Sequence, residues 1–337
     1  MDGANGAAVI ERLMKYNTDN WTFSEPHLAE SYPEISEDHL QYTFTIREGV
    51  KWHDGQPLTA EDVLFSTKAV VNPFSDSALI RVSFGGLSNA EVFDGRRIRF
   101  TFSKPFYTNL FTLGFILPVL PRHIYDADGL RDNITVAEIV GPNGRNNATL
   151  KKFGEQFNKH PANRQPIGSG PYKFEKWDNG KEISVVRNDD YWGTKGYLQK
   201  IVYRVITDET ASLTARKSGE IDFIPRMQPI QYTQQTSGAA FEQQFAKATY
   251  TSFQYITWNE KRPFFKDKRV RQAMTMLIDR EQFIETVVFS LAKPTESIFP
   301  HDSPDYNPNV KPFPYDPKRA AQLLDERIGR IERVCAA

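Results

Sequence analysis

Apolar and polar residues alternate from Leu40 to Ile46, with Tyr42 and Phe44 on one side. That is the period of a strand with one buried face. Glu48-Gly49 ends it, and Asp54-Gly55 marks a turn. Thr59 stands three residues before Asp62, the spacing of a capping box with an acid in the first helical turn. The spacing predicts a helix with Val63, Leu64, Thr67, Val70 and Val71 on one side, stopped by Pro73. After a turn at Asp94-Gly95, Arg97 to Phe102 alternates again and predicts a second strand. Further strands are predicted at 172–174, 183–186, 201–206 and 221–224. Between the last two, Asp208 caps a helix that Gly219 ends. Strand, helix and strand in that order suit a βαβ crossover in an α/β sheet.

Residues 126–165 break the pattern. Gly, Asn, Lys and Asp dominate around Gly141-Pro142-Asn143-Gly144, which predicts a surface excursion with one short helix. The final third reads as helical. Asp267 caps a helix whose Val270, Ala273, Met274, Leu277 and Ile278 form one buried stripe. Asp279 with Gln282 starts another, through Ile284, Val287 and Val288, and Asp316-Pro317 opens a third.

A length of 337 residues suggests two domains at about 150 residues each. Lysine and arginine number 42, as do aspartate and glutamate, so the basic excess of a nucleic-acid binder is missing. Aromatic residues make up 13% of the chain, enough for large cores and a ring-lined cleft. The single cysteine, Cys335, excludes an intrachain disulfide and a Cys-ligated metal site. Leu110 to Leu120 is too short to span a membrane and is broken by Pro118. Met1 to Gly6 lacks the basic start and apolar core of a secretion signal, so the chain as written is expected to stay where it is made.

Catalytic signatures are scarce. The six histidines show no metal-ligand spacing. In Trp52-His53-Asp54-Gly55, His53 beside Asp54 offers a base, or the four residues form a turn whose Trp packs. Gly168-Ser169-Gly170 resembles a phosphate loop but lacks the third glycine, and no P-loop Lys-Ser/Thr pair or G-x-S-x-G elbow occurs. Carboxylates are plentiful, which leaves a glycosidase open.

Four segments, in order, carry a resemblance. They are Leu28-Ala29-Glu30-Ser31 with Arg47 to Val63; Pro166 to Tyr172 with Arg187 to Gly193; Trp258-Asn259 with Pro263 to Phe265, Val270 to Ala273 and Ile278 to Arg280; and Tyr315-Asp316-Pro317 to Leu324. The chain resembles the family 5 extracellular solute-binding proteins, the oligopeptide-, dipeptide- and nickel-binding receptors of ABC importers. The resemblance implies an α/β, two-lobed, periplasmic-binding-protein-like fold with an extra subdomain in the first lobe and an incomplete second lobe. It places the first lobe at 1–255, with a subdomain inserted at about 40–165, and a hinge crossing near Tyr255 to Asn259. The second lobe would start over 256–326, and 327–337 is an atypical tail without family character.

The implied function is capture of a peptide or similar small solute between lobes, for delivery to a membrane permease and its ATPase. That means no catalysis, cofactor, metal or nucleic acid, a monomer, and a periplasmic or extracellular place for the full-length protein. Family peptide receptors hold the ligand backbone by strand-like hydrogen bonds. The candidate ligand contacts are Trp258 and Asn259 at the crossing, Gly168, Ser169 and Gly170 in a loop where small residues would let a ligand backbone approach closely, and Tyr16 and Phe84. Hinge packing for Trp258 and Asn259, a tight turn at 168–172 and core burial for Phe84 are the alternatives. Arg269 and Arg271 read as a solvated helix face. An enzyme on a similar scaffold and a non-binding fragment are the rival functions.

Overall fold

The alternation between Arg97 and Phe102 has a direct structural cause: Ile98, Phe100 and Phe102 are buried while Arg97, Arg99 and Thr101 are half-exposed. The computed structural model describes residues 8–16, 23–126, 129, 132–238, 241, 246–247, 252–299, 301 and 306–335. It divides into two units, Met1–Val205 and Ile206–Ala337. In chain order the first carries β1 (Met14–Tyr16), β2 (Phe23–Pro26), β3 (Glu34–Ile35), β4 (Gln41–Thr45), α1 (Ala60–Val71), β5 (Leu87–Val92), β6 (Arg97–Phe102), α2 (Ala148–Asn158), β7 (Tyr172–Asp178), β8 (Glu182–Arg187) and β9 (Lys200–Arg204). The second carries α3 (Glu209–Lys217), α4 (Lys268–Met276), α5 (Arg280–Thr286) and α6 (Pro317–Cys335). Shorter helical turns are left unlabelled.

The main core of the first unit lies on a four-stranded antiparallel sheet of order β3-β4-β6-β5. Phe44 meets Phe100 edge-on with centroids 5.9 Å apart, and Tyr42 meets Phe102 likewise at 5.7 Å. Edge-to-face pairs add to burial worth roughly 1.5–3 kcal/mol for each large side chain. Helix α1 packs on this sheet. At its start Asp62 accepts from the Thr59 backbone N–H at 2.9 Å, as the capping-box spacing predicts. Its other carboxylate oxygen accepts from the Arg122 N–H at 2.9 Å, and the Ser66 hydroxyl accepts from the Leu120 N–H at 2.8 Å. One helix face thus fixes the segment from Leu120 to Arg122.

Residues 126–165 are not a surface excursion. Val136 and Ile139 on the short helix Val136–Val140, and Leu150 and Phe153 on α2, are buried. Phe153 packs edge-on against Phe65 of α1 at 6.1 Å, and Asn72 donates to the Leu150 carbonyl at 3.0 Å. The helical spacing is present in the sequence, but the surrounding Gly, Asn and Lys residues dilute it.

The predicted βαβ crossover does not form. The second sheet, β7-β8-β9, is antiparallel throughout. Helix α3 follows, with Asp208 accepting from the Ala211 N–H and Gly219 at a φ of +76°. Residues 221–224 then run as irregular chain with Phe223 exposed. Pro225 follows at once, and among the described residues no strand pairs with this stretch.

In the second unit α4 packs on α6 through Ala273, Met276, Ala320 and Leu323. Met276 takes the place the pattern gave to Leu277, because the helix ends at Met276 and Leu277 turns out to solvent. Asp267 accepts from the Arg269 N–H, Asp279 from the Gln282 N–H and Asp316 from the Arg319 N–H, each at 2.9 Å. All three predicted helix starts are therefore capped. Helix α5 stops at Thr286, short of Val287 and Val288.

Candidate functional site

In the first unit the loop Gly168 to Tyr172 is clamped by His53. The His53 N–H donates to the Gly168 carbonyl at 2.8 Å, and the Gly168 N–H donates to His53 Nδ1 at 3.2 Å. His53 Nε2–H donates to the Gly170 carbonyl at 2.9 Å. With Nδ1 accepting and Nε2 donating, the ring is the neutral tautomer. Burial, seconded by Lys173, pulls its pKa below the ordinary histidine value against the Gly170 contact, Glu11 and Asp54. Asp54 does not orient His53 as a base. Its carboxylate accepts from His123 Nε2–H at 2.7 Å, while Trp52 lies buried in the core.

The clamp predicts a pH effect. The unfolded state takes up the His53 proton near pH 6.5 and the folded state only at lower pH, so stability is lost as pH falls through that window. Urea unfolding at about pH 7 and about pH 5 is expected to show a fall that His53→Gln reduces. Equal falls in both proteins refute the assignment.

Behind the loop lies a carboxylate that the sequence reading passed over. Glu11 is 3% exposed. It accepts from His27 Nε2–H at 2.6 Å, from the Tyr191 hydroxyl at 2.5 Å and from Trp192 Nε1–H at 3.2 Å. Burial alone would raise its pKa. The His27 hydrogen bond and charge, then Tyr191 and Ser169, outweigh it and hold the carboxyl below its ordinary range. Burial first, then Glu11, push the Tyr191 hydroxyl far up, so it stays a donor. Arg47 covers the Trp192 ring at 5.1 Å and donates to the His27 carbonyl at 3.0 Å. The signal for this hub was a lone acid in the apolar run Ala7 to Met14. Asn188 adds a further tie, donating from Nδ2 to the Gly170 carbonyl at 3.2 Å.

Gly168, Ser169 and Gly170 are all buried. The backbone that approaches the glycines is the chain's own: a Cβ at Gly168 would stand 1.7 Å from the Val9 carbonyl oxygen, and one at Gly170 2.4 Å from that of Ala8. Phe84 is 3% exposed and belongs to the main core. Tyr16 closes β1, and its side chain lies outside the described residues.

In the second unit Trp258 is half-buried and stacks on Phe265 with centroids 5.2 Å apart. Asn259 is exposed, and its side chain accepts from the Lys261 N–H at 3.1 Å. Arg269 and Arg271 are not a free solvated face. Arg269 pairs with Asp267 at 2.7 Å, and Arg271 donates to the Phe265 carbonyl at 2.8 Å and the Lys266 carbonyl at 3.1 Å. Among the described residues no group of three His, Cys, Asp or Glu could hold a metal, and no helix is long and apolar enough to cross a membrane.

Known proteins resemble this chain in sequence and in fold. The oligopeptide-binding protein AppA of Bacillus subtilis is 30% identical over 311 residues, covering 89% of this chain and 50% of its own length. The dipeptide-binding protein of Escherichia coli is 25% identical over 336 residues, covering 96% and 58%. The chain thus spans about half the length of the curated relatives it matches. The solved structure of AppA with a nonapeptide superposes with a TM-score of 0.74 at 28% identity, over 97% of this chain and 60% of that one. NikZ from Campylobacter jejuni, solved with Ni(L-His), gives 0.70 at 25%, over 97% and 58%. The fold is therefore the α/β fold of the two-lobed binding proteins. The sequence profile of the bacterial extracellular solute-binding proteins, family 5 Middle, matches residues 24–328, and the chain belongs to that family.

Proposed function

We propose that this chain is the substrate-binding part of an ABC-type importer, capturing a peptide or similar small solute and presenting it to a permease driven by an ATPase. The observation that carries the reading is the family match over residues 24–328. The likeness to a receptor solved with a nonapeptide supports peptides as the cargo. The protein acts by binding and releasing, with no chemical step, outside the cytoplasm and as a monomer. In this reading the first lobe runs over 1–255 and the chain crosses near Tyr255 to Asn259 into the second. Trp258 offers a ring face and Asn259 an exposed amide for the ligand backbone. Gly168, Ser169 and Gly170 serve the site by holding the segment at Val9 in place, with Phe84 in the supporting core and Tyr16 beside β2.

The test is native mass spectrometry of the purified chain in a pool of di- to pentapeptides and nonapeptides, followed by calorimetry with the peptides retained. Specific adducts that release heat on titration are expected. A chain that retains no peptide from the pool overturns the reading.

A further inference from the structure

The segment from Val9 to Met14 is laced on both sides. The Glu11 carbonyl accepts from the Val119 N–H at 3.1 Å, and the Leu13 carbonyl from the His27 and Ala29 N–H groups at 3.0 Å. Its one cation, Arg12, lies across the Phe115 ring with the guanidinium carbon 5.1 Å from the centroid. Arg12 Nε is buried with no hydrogen-bond partner. Burial lowers the Arg12 pKa with no neighbouring charge to oppose it. Other half-buried arginines of this unit are provided for. Arg47 donates to the carbonyls of His27 and Ala29, and Arg81 to those of Asn72 and Ser75; Arg122 pairs with Asp132 and Arg187 with Asp189. A guanidinium taken partly out of water and given no acceptor is a cost the fold has left unpaid.

We propose that Arg12, held flat on Phe115, is a binding site for the carboxylate of a small solute. The geometry selects that group over other anions. Buried Nε cannot join a side-on fork, which leaves the two terminal amines to present parallel donors end-on. Two parallel donors in a fixed plane match the two oxygens of a carboxylate. One unopposed positive charge balances a monoanion but leaves a phosphate dianion half-compensated. The rings of Phe115 and Phe111, with centroids 5.2 Å apart, supply an apolar wall for the carbon skeleton. That the carboxylate belongs to the imported cargo rests on the capture reading; binding of the carboxylate itself does not.

The test reads Arg12 by NMR. Its buried Nε–H gives a slowly exchanging resonance, assigned by its disappearance in Arg12→Lys. The chain is titrated with sodium N-acetylglycinate, sodium phosphate and sodium chloride at one ionic strength. The expected result is a saturable shift of the Arg12 Nε–H and Phe115 amide signals with N-acetylglycinate, a several-fold smaller one with phosphate and none with chloride. Arg12→Met keeps the stem over Phe115 and removes the donors. It is expected to weaken the response of the Phe115 amide roughly tenfold or more. No saturable movement, equal movement with phosphate, or an unchanged Phe115 response in Arg12→Met overturns the proposal. A responding Arg12 in a chain that retains no peptide sinks the capture reading alone, and retained peptides beside a silent Arg12 sink only the carboxylate site.

Discussion

Glu11→Ala is expected to cost about 3–5 kcal/mol of unfolding free energy, the lower part of what three stranded donors cost at about 1–3 kcal/mol each. The substitution does more than delete an attraction. His27 Nε2, the Tyr191 hydroxyl and Trp192 Nε1 all donate to this one carboxylate, and it is almost closed to water. Truncation leaves three donors facing a void, and each loses its acceptor without regaining a water. Glu11→Gln keeps the volume and one acceptor oxygen and is expected to cost less. The sign of the pH dependence follows from the lowered pKa. The unfolded chain binds the Glu11 proton near pH 4.3 while the folded chain still excludes it. Stability from this group is therefore complete above that value and is lost as pH falls through the folded pKa. Urea unfolding across the acid range checks both points: the acid slope of the wild type should flatten in Glu11→Gln. Equal stabilities of wild type and Glu11→Ala at neutral pH would show that the three donors find other acceptors.

That hub also shows where the sequence stopped being readable. Elements built from neighbours along the chain were legible. Phe100 and Phe102 alternate with arginine and threonine because one sheet face is buried, and Asp208, Asp267, Asp279 and Asp316 lie at helix starts because a short polar side chain satisfies free N–H groups there. Partnerships across the chain were not legible. Glu11 meets Tyr191 across 180 positions and His53 meets Gly170 across 117, and no local pattern encodes either distance. Asp54 illustrates the opposite error, since its sequence neighbour His53 turns away to Gly168 and the imidazole it meets belongs to His123. The loop from Gly168 to Gly170 reads in the sequence as open to a ligand backbone, whereas the backbone that passes close to its glycines in the structure is the chain's own, at Val9 and Ala8. Near Gly141 and Gly144, polar residues hid the i, i+3 pair of Val136 and Ile139 that reaches the core.

Gly168→Ala is expected to destabilise the first unit by about 3 kcal/mol, the upper end of what overpacking costs. The added methyl would lie 1.7 Å from the Val9 carbonyl oxygen and 2.5 Å from its carbon. Both atoms are backbone, so no rotamer change makes room, and either the loop or the Val9 segment must move. Movement of the loop strains both hydrogen bonds between Gly168 and His53, one to the backbone and one to the ring, and the bond from the Gly170 N–H to the Val9 carbonyl at 3.0 Å. Gly85→Ala is the control. Gly85 has an ordinary helical φ of −60°, and its nearest contact would be a carbonyl oxygen at 3.4 Å, so the change should stay within about 0.5 kcal/mol. A second reading separates a displaced loop from a general loss of packing. His53 keeps its lowered pKa only while it stays buried against Gly168 and Gly170. In Gly168→Ala the His53 ring, followed by NMR, should titrate closer to the ordinary histidine value, and in Gly85→Ala it should not move. Were Gly168→Ala as stable as the control, the close passage of Val9 over this loop would be wrong, and the hold of the glycine loop on the Glu11 segment would go with it.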